Sequence, residues 1–151
     1  MSPTPSIPHG RVSEALAKPL RAAAPSTIEV WTSPIGVSNT SGSTYVIPDI
    51  TVMRSEATKS HGRELDPGDV LLVVEVLSPS NRGQDLVLKR PAYAAMGIPD
   101  YWIVDPMARV ITVLRIEPGG ADYSVVAEVA PGTSYRTDRP LDLVVDTRAV
   151  W

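Results

Sequence analysis

The stretch DVLLVVEVL, from Asp69 to Leu77, constrains the fold more than any other part of this chain. Branched apolar side chains follow one another almost without a break, as in a strand covered on both faces. Strand alternation groups Leu71, Val73, Glu75 and Leu77 on one of those faces. Glu75 is therefore expected in an apolar setting, where a carboxylate is costly unless it is paired or bound to a cation. A structural Lys or Arg would answer that need as well as a metal would. Carboxylates are seldom buried without a chemical task, so Glu75 is taken as a candidate functional residue.

The other segments supply what such a strand needs around it. Residues 1–8, rich in Pro, Ser and Thr, are expected to form a flexible leader, and residues 9–151 a single domain. His9 to Ala24 carries Val12, Leu16 and Leu20 at four-residue steps, a helical pattern that Pro19 should kink or end early. Strands are expected at Ile28–Trp31, Tyr45–Met53, Tyr101–Asp105, Val110–Ile116, Tyr123–Val129 and Leu141–Val145. Gly36–Ser43 and Ser55–Gly68 are expected as loops. A second helix should cover Gln84 to Met96, kinked or divided at Pro91 and stopped by Gly97 and Pro99. Helix, strands, helix, strands is the order of an α/β or α+β domain with a mixed sheet.

Composition removes several classes of function. With no Cys, the chain has no disulfide, no thiolate metal site and no cysteine nucleophile. Its longest apolar run, Val70 to Val74, is far too short to cross a bilayer, and no secretory pattern opens the sequence, so a cytoplasmic location is expected. The net charge of −3 is the wrong sign for a protein that depends on unspecific phosphate contacts. Any nucleic-acid role must rest on a local patch, a metal ion or a larger assembly.

Two more residues join Glu75 as candidates. Asp49 follows Pro48 in a separate strand segment, and the two carboxylates together offer the hard oxygen ligands that Mg²⁺ or Mn²⁺ prefers. Lys89 lies four residues after Asp85 and four before Tyr93, along one side of the second helix. An exposed Asp–Lys pair would be its ordinary role. However, this helix directly follows the Glu75 strand and can fold back across it. His9, at the start of the first helix, could approach the site but is read as a surface residue, because no partner for it is visible. His61 lies in a charged loop and is assigned nothing. Trp31, Trp102 and Trp151 are read as core or interface residues.

The segments PDITVM and VVEVLSPSNRGQDLVLKRPAYAAMGIPDYWIVDP, spanning Pro48 to Pro106, resemble the Uma2 family of restriction-endonuclease-like proteins. That family carries PD, then EV-x-S-P-S, then D-x-x-x-K, then G-x-P-x-Y-W-x-V-D, and every element is present here in order. The resemblance implies a PD-(D/E)XK nuclease core: a restriction-endonuclease-like mixed sheet flanked by helices. It assigns Asp49 and Glu75 as the two acids. The lysine usually found two residues after the second acid is replaced here by Leu77, so the resemblance points to Lys89 instead. It also implies a metal-dependent endonuclease acting on DNA, with Mg²⁺ or Mn²⁺ held by Asp49, Glu75 and the backbone carbonyl of Val76. Family members usually carry a further helix and strand pair before the segment equivalent to MSPTPS. A chain starting at that segment should expose apolar surface and form a homodimer or higher homo-oligomer. A non-cleaving nucleic-acid-binding or regulatory module on the same fold, and a hydrolase of RNA or a small nucleotide, are the competing expectations.

Overall fold

The computed structural model of the protein describes residues 7–32, 34–39, 41–59, 64–79 and 84–151, with backbone alone at 84 and 85. The first helix, α1 (Ile7–Ala23), begins before His9 and continues past Pro19 to Ala23. Of the two expected effects of Pro19, a kink or an early end, the early end does not occur. Instead Val12, Leu16, Ala17 and Leu20 bury one continuous stripe on both sides of the proline, and that packing outweighs the lost backbone bond.

Six strands build the main sheet: β1 (Ile28–Trp31), β4 (Ile50–Arg54), β6 (Val70–Val76), β7 (Asp100–Asp105), β8 (Val110–Arg115) and β9 (Ser124–Val129). They lie side by side in that order. Neighbours are antiparallel except β6 and β7, which are parallel, so the sheet is mixed. A parallel pair needs a crossover, and α2 (Gln84–Ala95) is that connection. Pro91 does not divide α2. The helix ends as expected at Gly97, whose φ of +69° suits a residue without Cβ. There Ile98 N–H donates to Tyr93 O and Gly97 N–H to Ala94 O, closing a Schellman motif.

Both faces of the sheet are covered, as the apolar β6 sequence requires. Leu72, Val74, Trp102 and Val113 pack with α1 and with a hairpin of β10 (Ser134–Thr137) and β11 (Leu143–Asp146). Met53, Val73, Tyr101 and Leu114 pack with Tyr93 and Ala94 of α2 on the other side. The strand β10 lies in a segment where no strand was expected.

Two strand expectations need correction. Tyr45–Met53 is two strands, β3 (Tyr45–Val46) and β4, because Pro48 has no N–H to continue the ladder. β3 joins a small separate sheet with β2 (Gly36–Ser38) and β5 (Glu64–Leu65), both in stretches expected to be loops. Leu71, expected to share a face with Val73 and Glu75, is the extra residue of a bulge between the Val52–Leu72 and Met53–Val70 pairs. It packs instead against the cluster on the α1 side, and Val70 takes the α2 side.

Candidate active site

Asp49, Glu75 and Lys89 come together at one end of β6. The break at Pro48 lets the chain enter β4 through Asp49, whose N–H donates to Val74 O at 3.1 Å. The Asp49 side chain turns along the end of β6, where its Oδ2 accepts the Val76 N–H at 2.7 Å. Glu75, one residue earlier, faces the opposite side of the strand from Val74 and Val76, toward α2. It is 4 % exposed.

α2 lies across that face and supplies the groups that make such burial tolerable. Lys89 Nζ sits 2.8 Å from Glu75 Oε2 and 3.3 Å from Ile47 O, while keeping 22 % of its side chain exposed. One turn later the Tyr93 hydroxyl donates to Glu75 Oε1 at 2.5 Å. The Tyr93 ring is in turn held edge-on against Tyr101, with centroids 5.3 Å apart. Burial, with Asp49 nearby, pushes the Glu75 carboxyl up to about 7, although Lys89 and Tyr93 pull it down. Burial and the Glu75 charge push the Tyr93 phenol well above its usual range, so it remains a donor.

His9 was expected to lie on the surface, and this requires correction. Its Nε2 is 3.2 Å from Asp49 Oδ2, and its side chain is only 13 % exposed. The Asp49 hydrogen bond raises the imidazole pKa against the opposing effect of burial. A signal for it was present: His9 stands one turn before Val12 on the buried stripe of α1. Tyr93, likewise unassigned from sequence, was marked by its i+4 spacing from Lys89. Arg90 points elsewhere and forms a two-pronged bond to Asp122, with a third to Tyr123 O. His61 and Arg82 lie outside the described residues.

Two carboxylates and the Val76 carbonyl are the hard oxygen donors that a small divalent cation takes. Burial and the nearby Asp49 charge push the Glu75 carboxyl up even with Lys89 against it, so Lys89 gives the two carboxylates only part of their compensation. A cation would supply the rest, so the donor set fits. Among the described residues no three His, Cys, Asp or Glu side chains are placed to hold an ion together, so water would complete its coordination. A cavity of about 330 Å³ lined by Arg115, Tyr135, Arg136, Thr137 and Asp138 lies elsewhere. Arg115 there is bound to the buried Asp100, and Arg136 to Asp142.

A six-stranded mixed sheet with a helix on each face, carrying two acids and a lysine at the end of a central strand, is a nuclease-like α+β fold. A crystal structure from Anabaena variabilis ATCC 29413, described as that of "a putative nuclease belonging to DUF820", is similar, with a TM-score of 0.70 over 98 % of this chain and 82 % of that one. At 13 % identity, that likeness speaks for the fold alone. The Uma2 model, described as "Putative restriction endonuclease", matches residues 1–146, and the chain belongs to that family. No curated protein matches the chain.

Proposed function

We propose that this protein is an endonuclease that hydrolyses phosphodiester bonds in DNA with the help of Mg²⁺ or Mn²⁺, using Asp49, Glu75 and Lys89. The observation that carries this reading is the Lys89 ammonium 2.8 Å from the buried Glu75 carboxylate, with Asp49 bonded to the N–H of the next residue. Asp49, Glu75 and the Val76 carbonyl would hold the cation. Bound there, it supplies a Lewis acid for the scissile phosphate and lowers the pKa of a coordinated water. Lys89, anchored by Glu75 and the Ile47 carbonyl yet open to solvent, orients the attacking water and offsets charge developing on the phosphate. Leu77 can do neither.

The test is nicking of supercoiled plasmid. Lys89→Ala should lose about a hundredfold or more in rate while remaining folded. Arg90→Ala, whose side chain serves Asp122, should keep cutting. Undiminished cleavage by Lys89→Ala would reject the assignment. Parallel assays on RNA and on dinucleotides decide the substrate class.

The net charge of −3 favours a second reading, a regulatory module that binds nucleic acid without cleaving it. Absence of cleavage by a chain that binds both Mn²⁺ and DNA would select it. The protein is also proposed to act as a homodimer or higher oligomer in the cytoplasm. In support of assembly, β9 is an edge strand with Val125 and Val126 55 % and 47 % exposed. Light scattering that finds only monomer at tens of micromolar (about the usual working range) would count against it. No helix of the described residues is long and apolar enough to cross a membrane.

A further inference from the structure

We infer that His9 is a positioning residue: from α1 it sets the rotation of the Asp49 carboxylate, so that Oδ1 is the oxygen offered to a cation. This rests on reading Asp49 as a cation ligand. Oδ2 receives two donors from two different elements, the Val76 N–H of β6 at 2.7 Å and the His9 Nε2 of α1 at 3.2 Å. Among the described residues, Oδ1 accepts no hydrogen bond. A carboxylate turns easily about its last single bond, since that torsion has broad, two-fold minima. One donor alone leaves the swing open, and a second donor from another direction closes it.

The backbone of His9 is held in α1. Val12, Leu16 and Leu20 bury the stripe that His9 heads, and the Ser13 hydroxyl bonds back to the His9 carbonyl at 3.0 Å. The imidazole also bonds to the Val76 backbone, at its carbonyl rather than at the N–H that Asp49 accepts. Direct ligation by the imidazole is the less suitable role, because His9, Asp49 and Glu75 do not form an ion-holding group of three. Outer partners of this kind orient the oxygens that bind a metal without touching it.

The Val76 amide reports the Asp49 rotation without any metal. Its hydrogen exchange would be followed by NMR in the full chain, with the β4–β6 ladder amides as internal reference. Mn²⁺ affinity would be titrated in parallel for the parent, His9→Ala and His9→Gln. His9→Ala should speed Val76 exchange about tenfold and weaken Mn²⁺ binding by about tenfold or more. His9→Gln, which can bring an N–H to the same place, should restore both. Unchanged Val76 exchange in His9→Ala would overturn the inference. So would Mn²⁺ binding lost equally in His9→Ala and His9→Gln with Val76 exchange restored in the latter, because the imidazole would then be a ligand. A parent chain that binds no Mn²⁺ would remove the cation reading, while the exchange result would still decide whether His9 orients Asp49.

Discussion

Glu75 concentrates the physical tension of the site in one side chain. Folding lifts its carboxyl from an ordinary 4.5 to about 7, mainly because it is buried. The folded chain therefore holds this proton more tightly than the unfolded chain. The penalty for ionising Glu75 is absent below about 4.5, grows through the window between the two values, and is complete above about 7. At roughly 1.4 kcal/mol per unit it amounts to at most about 3–4 kcal/mol. Urea unfolding in EDTA should show stability falling from pH 5 to pH 8, and Glu75→Gln should flatten most of that fall. An equal slope in both proteins would place the titration elsewhere. Tyr93 lowers the Glu75 pKa by donating to it. Tyr93→Phe should thus cost about 1–3 kcal/mol, the penalty for an abandoned buried acceptor. It should also carry the Glu75 window to higher pH, which NMR titration of the carboxyl carbon can follow.

At the scale of elements, α1 and α2 matter because each carries a side chain to the same strand end from an opposite face of the sheet. α1 holds its place through its buried stripe, so Leu16→Ala should destabilise the protein by about 2–5 kcal/mol in urea. Pro19 lies inside that helix and withholds one backbone donor. Pro19→Ala should therefore raise the melting temperature, by an amount corresponding to roughly 1–3 kcal/mol. A lower melting temperature would show that the proline also sets the path of the helix. The first helix was legible in the four-residue spacing of Val12, Leu16 and Leu20, and the second in its stop at Gly97 and Pro99. Their passage through proline was not, because that depends on how much apolar surface the finished sheet buries.

For the molecule as a whole, charge sets the conditions for contact with DNA. With a net charge of −3, the metal-free protein should show no duplex binding in gel shift at physiological salt. Ca²⁺, which takes oxygen ligands, should permit a complex by bridging the acidic site to phosphate. Asp49→Asn should lose most of that gain. Equal binding in EDTA and in Ca²⁺ would mean that a basic surface, rather than the cation site, carries the affinity.

The continuous apolar run of β6 determined by itself that a central strand would be covered on both faces, and the ordered motifs from Pro48 to Pro106 marked Asp49, Glu75 and Lys89. Those are local properties, written in residue type and spacing. The tertiary structure alone decided that Leu71 leaves the Glu75 face, because a bulge is a mismatch between two strands and neither strand records it. It also decided that His9, forty residues before Asp49, would share that carboxylate with the Val76 N–H. Such a contact depends on where α1 settles against the sheet, and that is fixed by packing between segments distant in the chain.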